Sequence, residues 1–332
     1  MKLELIAFTQ RGSDLALRLA DTLSGRGHQA ACTRDGLKAE EWAERAFSRS
    51  DGLIFVGAAG IAVRAIAPYL RHKSTDPAVV VVDERGQFVI PILSGHLGGA
   101  NDLAREIAAL TGAVPVITTA TDVNGVFAVD QWARRQELMV CNPERILPVS
   151  SRLLAGETVW FFSAWPIAGE LPRGLRPASR EEAQVVLDLR PPEGDALWLC
   201  PRKVRVGMGC RRGTPAAALR SLLEDVLTEE AIPKNAVCAL CTIDLKKDEA
   251  GLRELAQELG VPLLTYSAQE LAQVPGTFTP SPFVEQVTGV DNVCERAALV
   301  SGGTLLRRKT AREGATVALA MEKLYLTWEE HG

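Results

Sequence analysis

Short, continuous runs of apolar residues that end in glycine-rich turns constrain the fold of this chain more than any other feature. Residues 53–56 read Leu-Ile-Phe-Val and continue directly into the turn 57–60, Gly-Ala-Ala-Gly. A strand that is apolar on both faces is typical of a parallel sheet covered by helices on both sides. Further apolar runs at 3–8, 79–82, 88–93 and 114–117 alternate with amphipathic helical patterns. We therefore predict an α/β domain over residues 1–138.

One pair of these runs predicts a reversal of chain direction. Residues 79–82 and 88–93 flank the sequence Asp-Glu-Arg-Gly at 83–86, which favours a β-hairpin turn. Most of the other predicted strands are separated by helical patterns, as in units that connect parallel strands. We therefore expect a predominantly parallel or mixed sheet in this domain.

Residues 203–328 are predicted to form a second α/β domain of the same kind. A strand from Val204 enters the turn 207–213, and strands at 236–243 and 261–264 alternate with helices. Two last strands, at 304–308 and 315–320, are joined by a turn at 311–314. Between the two domains, residues 139–202 carry eight prolines and only short apolar pieces. This pattern predicts a small, poorly patterned middle module or linker.

Charge and composition exclude several classes of function. With a net charge of −4 and 5% aromatic residues, the chain lacks the basic field and the stacking surfaces that nucleic-acid binding uses. No apolar run approaches the length of a membrane span, and the first residues resemble a strand more than a signal peptide, so we expect a cytoplasmic protein. Seven cysteines at irregular spacing do not form a disulfide framework. Cys238 and Cys241 lie in a predicted strand, without the second ligand pair that a zinc site needs.

The turn at residues 94–101, Ser-Gly-His-Leu-Gly-Gly-Ala-Asn, is the first candidate binding site. It lies between an apolar strand and an amphipathic helix, and Asn101 is the predicted N-cap of that helix. Free amides at a helix start attract anions, and His96 adds a side chain that titrates near neutral pH. The alternative interpretation is a tight turn in which the histidine only bonds a carbonyl.

A second candidate anion site is the turn 207–213, Gly-Met-Gly-Cys-Arg-Arg-Gly. It follows a strand and precedes a helix, as in dinucleotide-binding motifs, but Arg211 and Arg212 occupy the place where pyrophosphate would approach. The two arginines instead indicate charge-assisted binding of carboxylates or phosphates, unless they are simply solvated. Gly302 and Gly303 precede the basic cluster 307–309 and form a further candidate turn.

Three motifs of the first domain, at residues 57–68, 91–104 and 118–122, resemble the cobalt-precorrin-5A hydrolase family of anaerobic cobalamin biosynthesis. Residues 206–213, 242–249 and 316–320 resemble the C-terminal domain of that family, which is also similar to a stand-alone protein of the aerobic branch. The resemblance implies hydrolysis of a δ-lactone on a cobalt-containing, ring-contracted tetrapyrrole, with loss of acetaldehyde. It implies that the substrate carries the cobalt, so we expect no cofactor and no metal site in the protein. Other enzymes of the pathway are candidate partners.

Lactone hydrolysis needs an activated water and hydrogen-bond donors for the developing oxyanion, and the resemblance leaves open which residues supply them. From the residues we predict His96 as the general base and Asp122 as the second candidate, although Asp122 could equally cap its own loop. The amides of Gly98 and Gly99, together with Asn101, are candidate oxyanion donors. The residues predicted to bind substrate belong to the turns described above: Gly57, Gly60, Arg64, Ser94, Gly95, Gly98, Gly99, Gly207, Gly209, Arg211, Arg212, Gly302 and Gly303. The alternative function is a non-catalytic protein that binds or hands over a tetrapyrrole of this pathway.

Overall fold

A computed structural model describes residues 1–33, 37–72 and 75–329 of the chain, without the side chain of residue 283. These residues form two compact units, one drawn from Met1–Arg135 with Ile146–Thr158 and the other from Gln136–Arg145 with Val159–Gly332. Helices pack against β-sheets in both units, which confirms the predicted α/β class with mixed sheets. Within the described ranges, no helix is long and apolar enough to cross a lipid bilayer.

The first unit is built around a six-stranded sheet. Its elements in chain order are β1 (Lys2–Ala7), α1 (Gln10–Gly25), β2 (Gln29–Cys32), α2 (Ala39–Ala46), β3 (Gly52–Val56), α3 (Ala59–Ile66), β4 (Ala78–Val82), β5 (Phe88–Leu93), α4 (Ala100–Thr111), β6 (Val114–Pro115), α5 (Ala120–Val123), α6 (Val129–Arg135) and α7 (Ile146–Leu154). The strand order is β2-β1-β3-β4-β5-β6. α1 and α4 pack on one face and α2 and α3 on the other, so every residue of the central strands β3 and β4 is buried. This double cover explains the continuous apolar runs.

The predicted hairpin between β4 and β5 is confirmed. β5 is antiparallel to β4, whereas the other neighbouring pairs of this sheet are parallel. The carboxylate of Asp83 holds the turn, because it accepts hydrogen bonds from the amides of Gln87 and Phe88, both at 2.6 Å. Residues that follow β5 and β6 therefore emerge at the edge of the sheet opposite to those that follow β3.

The second unit contains two five-stranded sheets and one short strand pair. Its elements in chain order are β7 (Leu138–Val140), β8 (Val159–Ser163), β9 (Ile167–Ala168), β10 (Leu175–Pro177), β11 (Val185–Leu187), β12 (Leu197–Pro201), β13 (Val204–Cys210), α8 (Ala216–Glu229), β14 (Val237–Ile243), α9 (Ala250–Leu259), β15 (Leu263–Tyr266), α10 (Ala268–Gln273), α11 (Pro282–Thr288), α12 (Cys294–Leu299), β16 (Thr304–Arg312), β17 (Ala315–Met321) and β18 (Leu326–Thr327). The three sheets have the orders β10-β8-β11-β12-β7, β15-β14-β13-β17-β16 and β18-β9.

The segment predicted to be poorly patterned forms the first of these sheets. Its strands are only three to five residues long, which is too short for a clear period of alternation. Leu189 and Cys200 belong to the same buried cluster as residues of β13 and α8, so this segment and the C-terminal sheet share one hydrophobic core. The predicted separate module 139–202 is divided in the structure: residues 139–145 and 159–202 pack in the second unit, whereas residues 146–158, with α7, pack in the first.

In the C-terminal sheet the predicted pair of last strands is confirmed as the antiparallel strands β16 and β17. β13, β14 and β16 end at one edge of the sheet, where β17 begins. α12 lies close against β13 at Gly207, where a Cβ atom would come within 1.8 Å of the carbonyl oxygen of Cys294. Only glycine permits this approach of helix to strand.

Candidate active site

The turn that connects β5 to α4 carries the chemistry of the first unit. Gly99, in the left-handed conformation with φ 85°, is the N-cap of α4, so the prediction of Asn101 as N-cap is wrong. The helix begins two residues earlier than predicted because its first amides already have partners within the turn. The Ala100 amide donates to the Ser94 carbonyl at 3.1 Å, and the Asn101 amide donates to the Gly95 carbonyl at 2.9 Å. Asn101 is consequently a buried helical residue whose side chain is free to reach another loop.

The imidazole of His96 lies between two carboxylates. Its Nε2 is 3.0 Å from Oδ2 of Asp122, and its Nδ1 is 3.2 Å from Oδ1 of Asp130. The hydroxyl of Thr121 is 3.2 Å from the same Nε2. The structure thus brings together the two residues predicted as catalytic, His96 and Asp122, and adds Asp130 from the first turn of α6.

These contacts favour the charged form of His96. Burial of the ring acts to lower its pKa, but the hydrogen bonds and charges of Asp130 and Asp122 outweigh it and raise the pKa of His96 from its ordinary 6.5. Burial of Asp122 acts to raise its pKa, but the hydrogen bonds from His96 and Arg105 outweigh it and lower the pKa of Asp122 below its ordinary 3.8. Both shifts favour an ion pair between a protonated His96 ring and the carboxylate of Asp122.

Asp122 is held in place by two further side chains. The Asn101 amide group donates to Oδ2 of Asp122 at 3.0 Å and to the hydroxyl of Thr119 at 2.9 Å, and Arg105 forms an ion pair with Oδ1 of Asp122. Both amide hydrogens of Asn101 are thus occupied, and the Gly99 amide donates to the His96 carbonyl at 2.9 Å. In this arrangement neither group is available as the oxyanion donor that the sequence predicts.

A cluster around Asp102, on the first turn of α4, supports the same turn and is missed by the sequence analysis. Asp102 accepts hydrogen bonds from Gln131 and from three arginines, Arg105, Arg134 and Arg135. The guanidinium of Arg134 also covers Gly99, where a Cβ atom would lie 2.0 Å from Nη2 of that arginine. The sequence does show acidic and basic residues in both α4 and α6, which is a signal for such a cluster. It does not reveal that these two helices meet.

Ser94 combines backbone strain with an unused hydroxyl. It is a non-glycine residue with φ 56°, in the left-handed region. Its buried Oγ has no hydrogen-bond partner among the described residues. Gly98 lies directly against it, since a Cβ at position 98 would be 2.3 Å from the Cβ of Ser94. Close packing thus accounts for this glycine.

The glycine-rich turn after β3 does not join this site. Val56 pairs with Val82, and Val82 pairs with Val89 near the start of β5, so Gly57 lies at one edge of the sheet. Gly52, the first residue of β3, is level with the end of β5, and both lie at the opposite edge of the sheet. A strand of five residues separates the edges by about 16 Å. The structure therefore does not bring Gly57, Gly60 and Arg64 together with the His96 turn, and their role in substrate binding stays a prediction.

The C-terminal sheet has a cavity of about 760 Å³ at the edge where β13, β14 and β16 end. Gly209, Arg211 and Arg212 line it, as the predicted second anion site requires. Gly207 does not, because it packs against α12. Gly302 and Gly303 precede β16 and therefore lie at the far end of that strand, away from this edge.

Comparison with known proteins agrees with this division of the chain. A family model described as Cobalamin synthesis G N-terminal matches residues 41–122, and another described as Cobalamin synthesis G C-terminus matches residues 204–320. The cobalt-precorrin-5A hydrolase of Priestia megaterium is 38% identical over 298 residues, which cover 82% of this chain and 79% of that protein. This chain belongs to the cobalt-precorrin-5A hydrolase family.

A second curated protein and one solved structure are also similar to this chain. The cobalt-precorrin-5A hydrolase of Salmonella typhimurium is 38% identical over 295 residues, 84% of each chain. The solved structure of CobE, a protein from the cobalamin biosynthetic pathway, is 37% identical and covers 36% of this chain and 91% of its own, with a TM-score of 0.35. The resemblance predicted from the sequence motifs is confirmed.

Proposed function

We propose that the chain is a cobalt-precorrin-5A hydrolase that opens the δ-lactone of its substrate at the turn carrying His96. Two relatives that the chain matches over most of their length have that name. The observation that supports this location is the His96 ring, which is held between the carboxylates of Asp122 and Asp130 while 13% of the side chain remains exposed.

The geometry favours a proton donor at His96 over the general base predicted from sequence. Both ring nitrogens of His96 face carboxylates, so either role requires one of these contacts to be exchanged for the substrate. The raised pKa of His96 favours the imidazolium, which can donate a proton but cannot accept one. A general acid must be protonated at the working pH and close to the atom that leaves. We therefore assign to His96 the proton for the departing lactone oxygen, and to Asp122 and Asp130 the orientation of the ring.

The proposed reaction consists of water addition and proton transfers. Water adds to the lactone carbonyl and gives one proton to solvent, the acyl–oxygen bond breaks, and His96 protonates the departing oxygen, which leaves a carboxylic acid and an alcohol. The carboxylic acid releases its proton to solvent. Neutral His96 then accepts the proton of the alcohol, and the C–O bond of the alcohol becomes the C=O bond of acetaldehyde. The carbon–carbon bond to the macrocycle breaks in this step, and the macrocycle keeps its electron pair. The cobalt enters with the substrate, and the proposal includes no resident cofactor.

The test is acetaldehyde release from the lactone substrate by the purified full-length chain, measured against pH. An acid role predicts that turnover falls as pH rises through the raised pKa of His96. His96→Gln should lower turnover by about 10²–10⁴-fold with little change in KM. Of the two carboxylates that raise the pKa of His96, Asp130 contributes more. Asp130→Asn should therefore move the fall in turnover to lower pH. His28→Gln is the matched control, since that ring faces a single carboxylate, Glu106, at 3.1 Å.

Two results would overturn this assignment. Turnover that falls toward acid pH, with loss of that limb in His96→Gln, would return His96 to the role of a base. Turnover in His96→Gln equal to that of His28→Gln would remove the ring from the reaction. Tight binding of the substrate without any release of acetaldehyde by the unaltered chain would favour the alternative of a non-catalytic handover protein.

A further inference from the structure

The cavity of the C-terminal sheet has predominantly apolar walls. Ile243 ends β14, Val284 and Val287 lie on α11, and Ala311 and Ala315 flank the turn between β16 and β17. Val287 is 59% exposed although it faces this cavity. A hollow with apolar walls of this kind is typical of a small-molecule site, and its volume of about 760 Å³ lies within the usual range of about 300–1,000 Å³.

The rim of the same cavity is positively charged. Two of its five cations have acidic partners, Lys246 with Glu249 at 3.0 Å and Arg312 with Asp225. The other three, Arg211, Arg212 and Lys309, form no ion pair with any residue of the described ranges. Among the described residues that line the cavity, the one acidic residue is Glu313, in the turn between β16 and β17.

The chain also positions one of these cations. The amide of Arg211 donates to the carbonyl of Gly314 at 3.0 Å. Gly314 has φ 83°, and a Cβ atom there would lie 2.8 Å from Cδ of Arg211. The side chain of Arg211 therefore crosses the β16–β17 turn because residue 314 is glycine, and this places the guanidinium at the mouth of the cavity.

We infer that this cavity binds the carboxylate-bearing rim and one apolar face of a tetrapyrrole macrocycle. The identity of the ligand rests on the proposed function, but the chemistry is that of the cavity. Apolar walls match the flat ring system, and three unpaired cations match carboxylates that are spread around its edge. A nucleotide concentrates its charge at one end, and a small organic acid has no apolar face for the walls formed by Ile243 and Val284.

The experiment is a fluorescence titration of the full-length chain with uroporphyrin, a macrocycle that carries carboxylates around its whole rim. The unaltered chain should bind it with an affinity that falls as salt is added. Arg211→Ala combined with Arg212→Ala should weaken binding at least about tenfold. Arg18→Ala combined with Arg26→Ala removes the same charge from two exposed arginines of the first unit and should change binding less than about twofold.

A second pair of variants tests the apolar wall. Val287→Glu places a carboxylate at the mouth of the cavity and should weaken uroporphyrin binding at least about tenfold. Val63→Glu is its control, because Val63 is a similarly exposed valine of the first unit, 51% exposed. Both substitutions are at exposed positions, so the fold should persist.

The outcomes separate this inference from the proposed function. Lack of uroporphyrin binding, or equal affinity in the cavity variants and their controls, would overturn the inference even if the chain releases acetaldehyde. Displacement of uroporphyrin by citrate at equal concentration would also overturn it, because any polyanion would then suffice. Binding that the cavity variants lose, in a chain that releases no acetaldehyde, would support the inference and overturn the proposed hydrolysis.

Discussion

Replacement of His96 by glutamine should reveal the charge of this ring through the stability of the first unit. Glutamine can donate one hydrogen bond but carries no charge, so Asp122 and Asp130 would face each other without the imidazolium between them. Removal of one partner from a buried ion pair costs about 3–5 kcal/mol. Asp122 keeps Arg105 and Asn101, which reduces the expected loss of unfolding free energy to about 2–3 kcal/mol at pH 6.

The sign of the pH dependence follows from the direction of the shift. Because the pKa of His96 is raised in the folded chain, its stabilising contribution is complete below the unfolded value of about 6.5 and disappears as pH rises through the folded value. The pKa of Asp122 is lowered, so its contribution is present above the ordinary 3.8 and disappears only as pH falls below that value. Asp122 therefore stays charged at pH 6 and at pH 9, and the difference between the two measurements reports on His96.

Urea unfolding at these two pH values, followed by tryptophan fluorescence, measures the effect. Trp42 and Trp132 are buried in the first unit and report on its transition. His28→Gln, which removes a single partly exposed pair with Glu106, should lose less than about 1 kcal/mol. An equal loss in His96→Gln at pH 6 and pH 9, or a loss at pH 6 no larger than that of His28→Gln, would refute the imidazolium between two carboxylates.

Two glycines give further predictions with internal controls. Gly99→Ala should lower the unfolding free energy by at least about 1 kcal/mol more than Gly112→Ala, because both positions have positive φ but only Gly99 is covered by Arg134; equal losses in urea unfolding would contradict this role of Arg134. Gly207→Ala should destabilise the second unit by about 1–3 kcal/mol, since its Cβ meets the backbone of α12, while Gly25→Ala meets nothing within 4 Å and should be nearly neutral. Unchanged thermal unfolding of Gly207→Ala would show that α12 can move away from β13 without cost.

The first sheet shows what the sequence predicts and where local reasoning fails. The apolar runs and the turn at 83–86 predict the strands and the β4–β5 hairpin correctly. The same hairpin determines that β5 runs against β3, so the turns after these strands cannot meet. Treating each glycine-rich turn by itself misses this, because the position of a loop depends on the direction of its strand and not on its composition. Gly57 therefore lies at the opposite edge from His96, while His96 and Asp122 follow the parallel strands β5 and β6 and do meet.

Asp130 illustrates a different limit. It lies 34 positions from His96 in the chain, at the start of a helix whose other first-turn residues are buried. The sequence signals Asp130 only as an acidic residue at the beginning of a buried helix. Acidic residues are common there because they interact favourably with the helix dipole, so this position alone does not indicate a contact with His96. The strands of residues 138–201 escape detection for a simpler reason, since each is too short to establish a period.

Ser94 makes an unfavourable contribution to the folding free energy of the turn around His96. Its left-handed backbone and its buried hydroxyl, which has no partner among the described residues, each cost about 1–3 kcal/mol. Contacts elsewhere must offset that sum, and the ion pairs of Asp102 with the arginines of α6 are among those that support this turn. A ligand that supplies a hydrogen-bond partner to the Ser94 hydroxyl would therefore stabilise the turn.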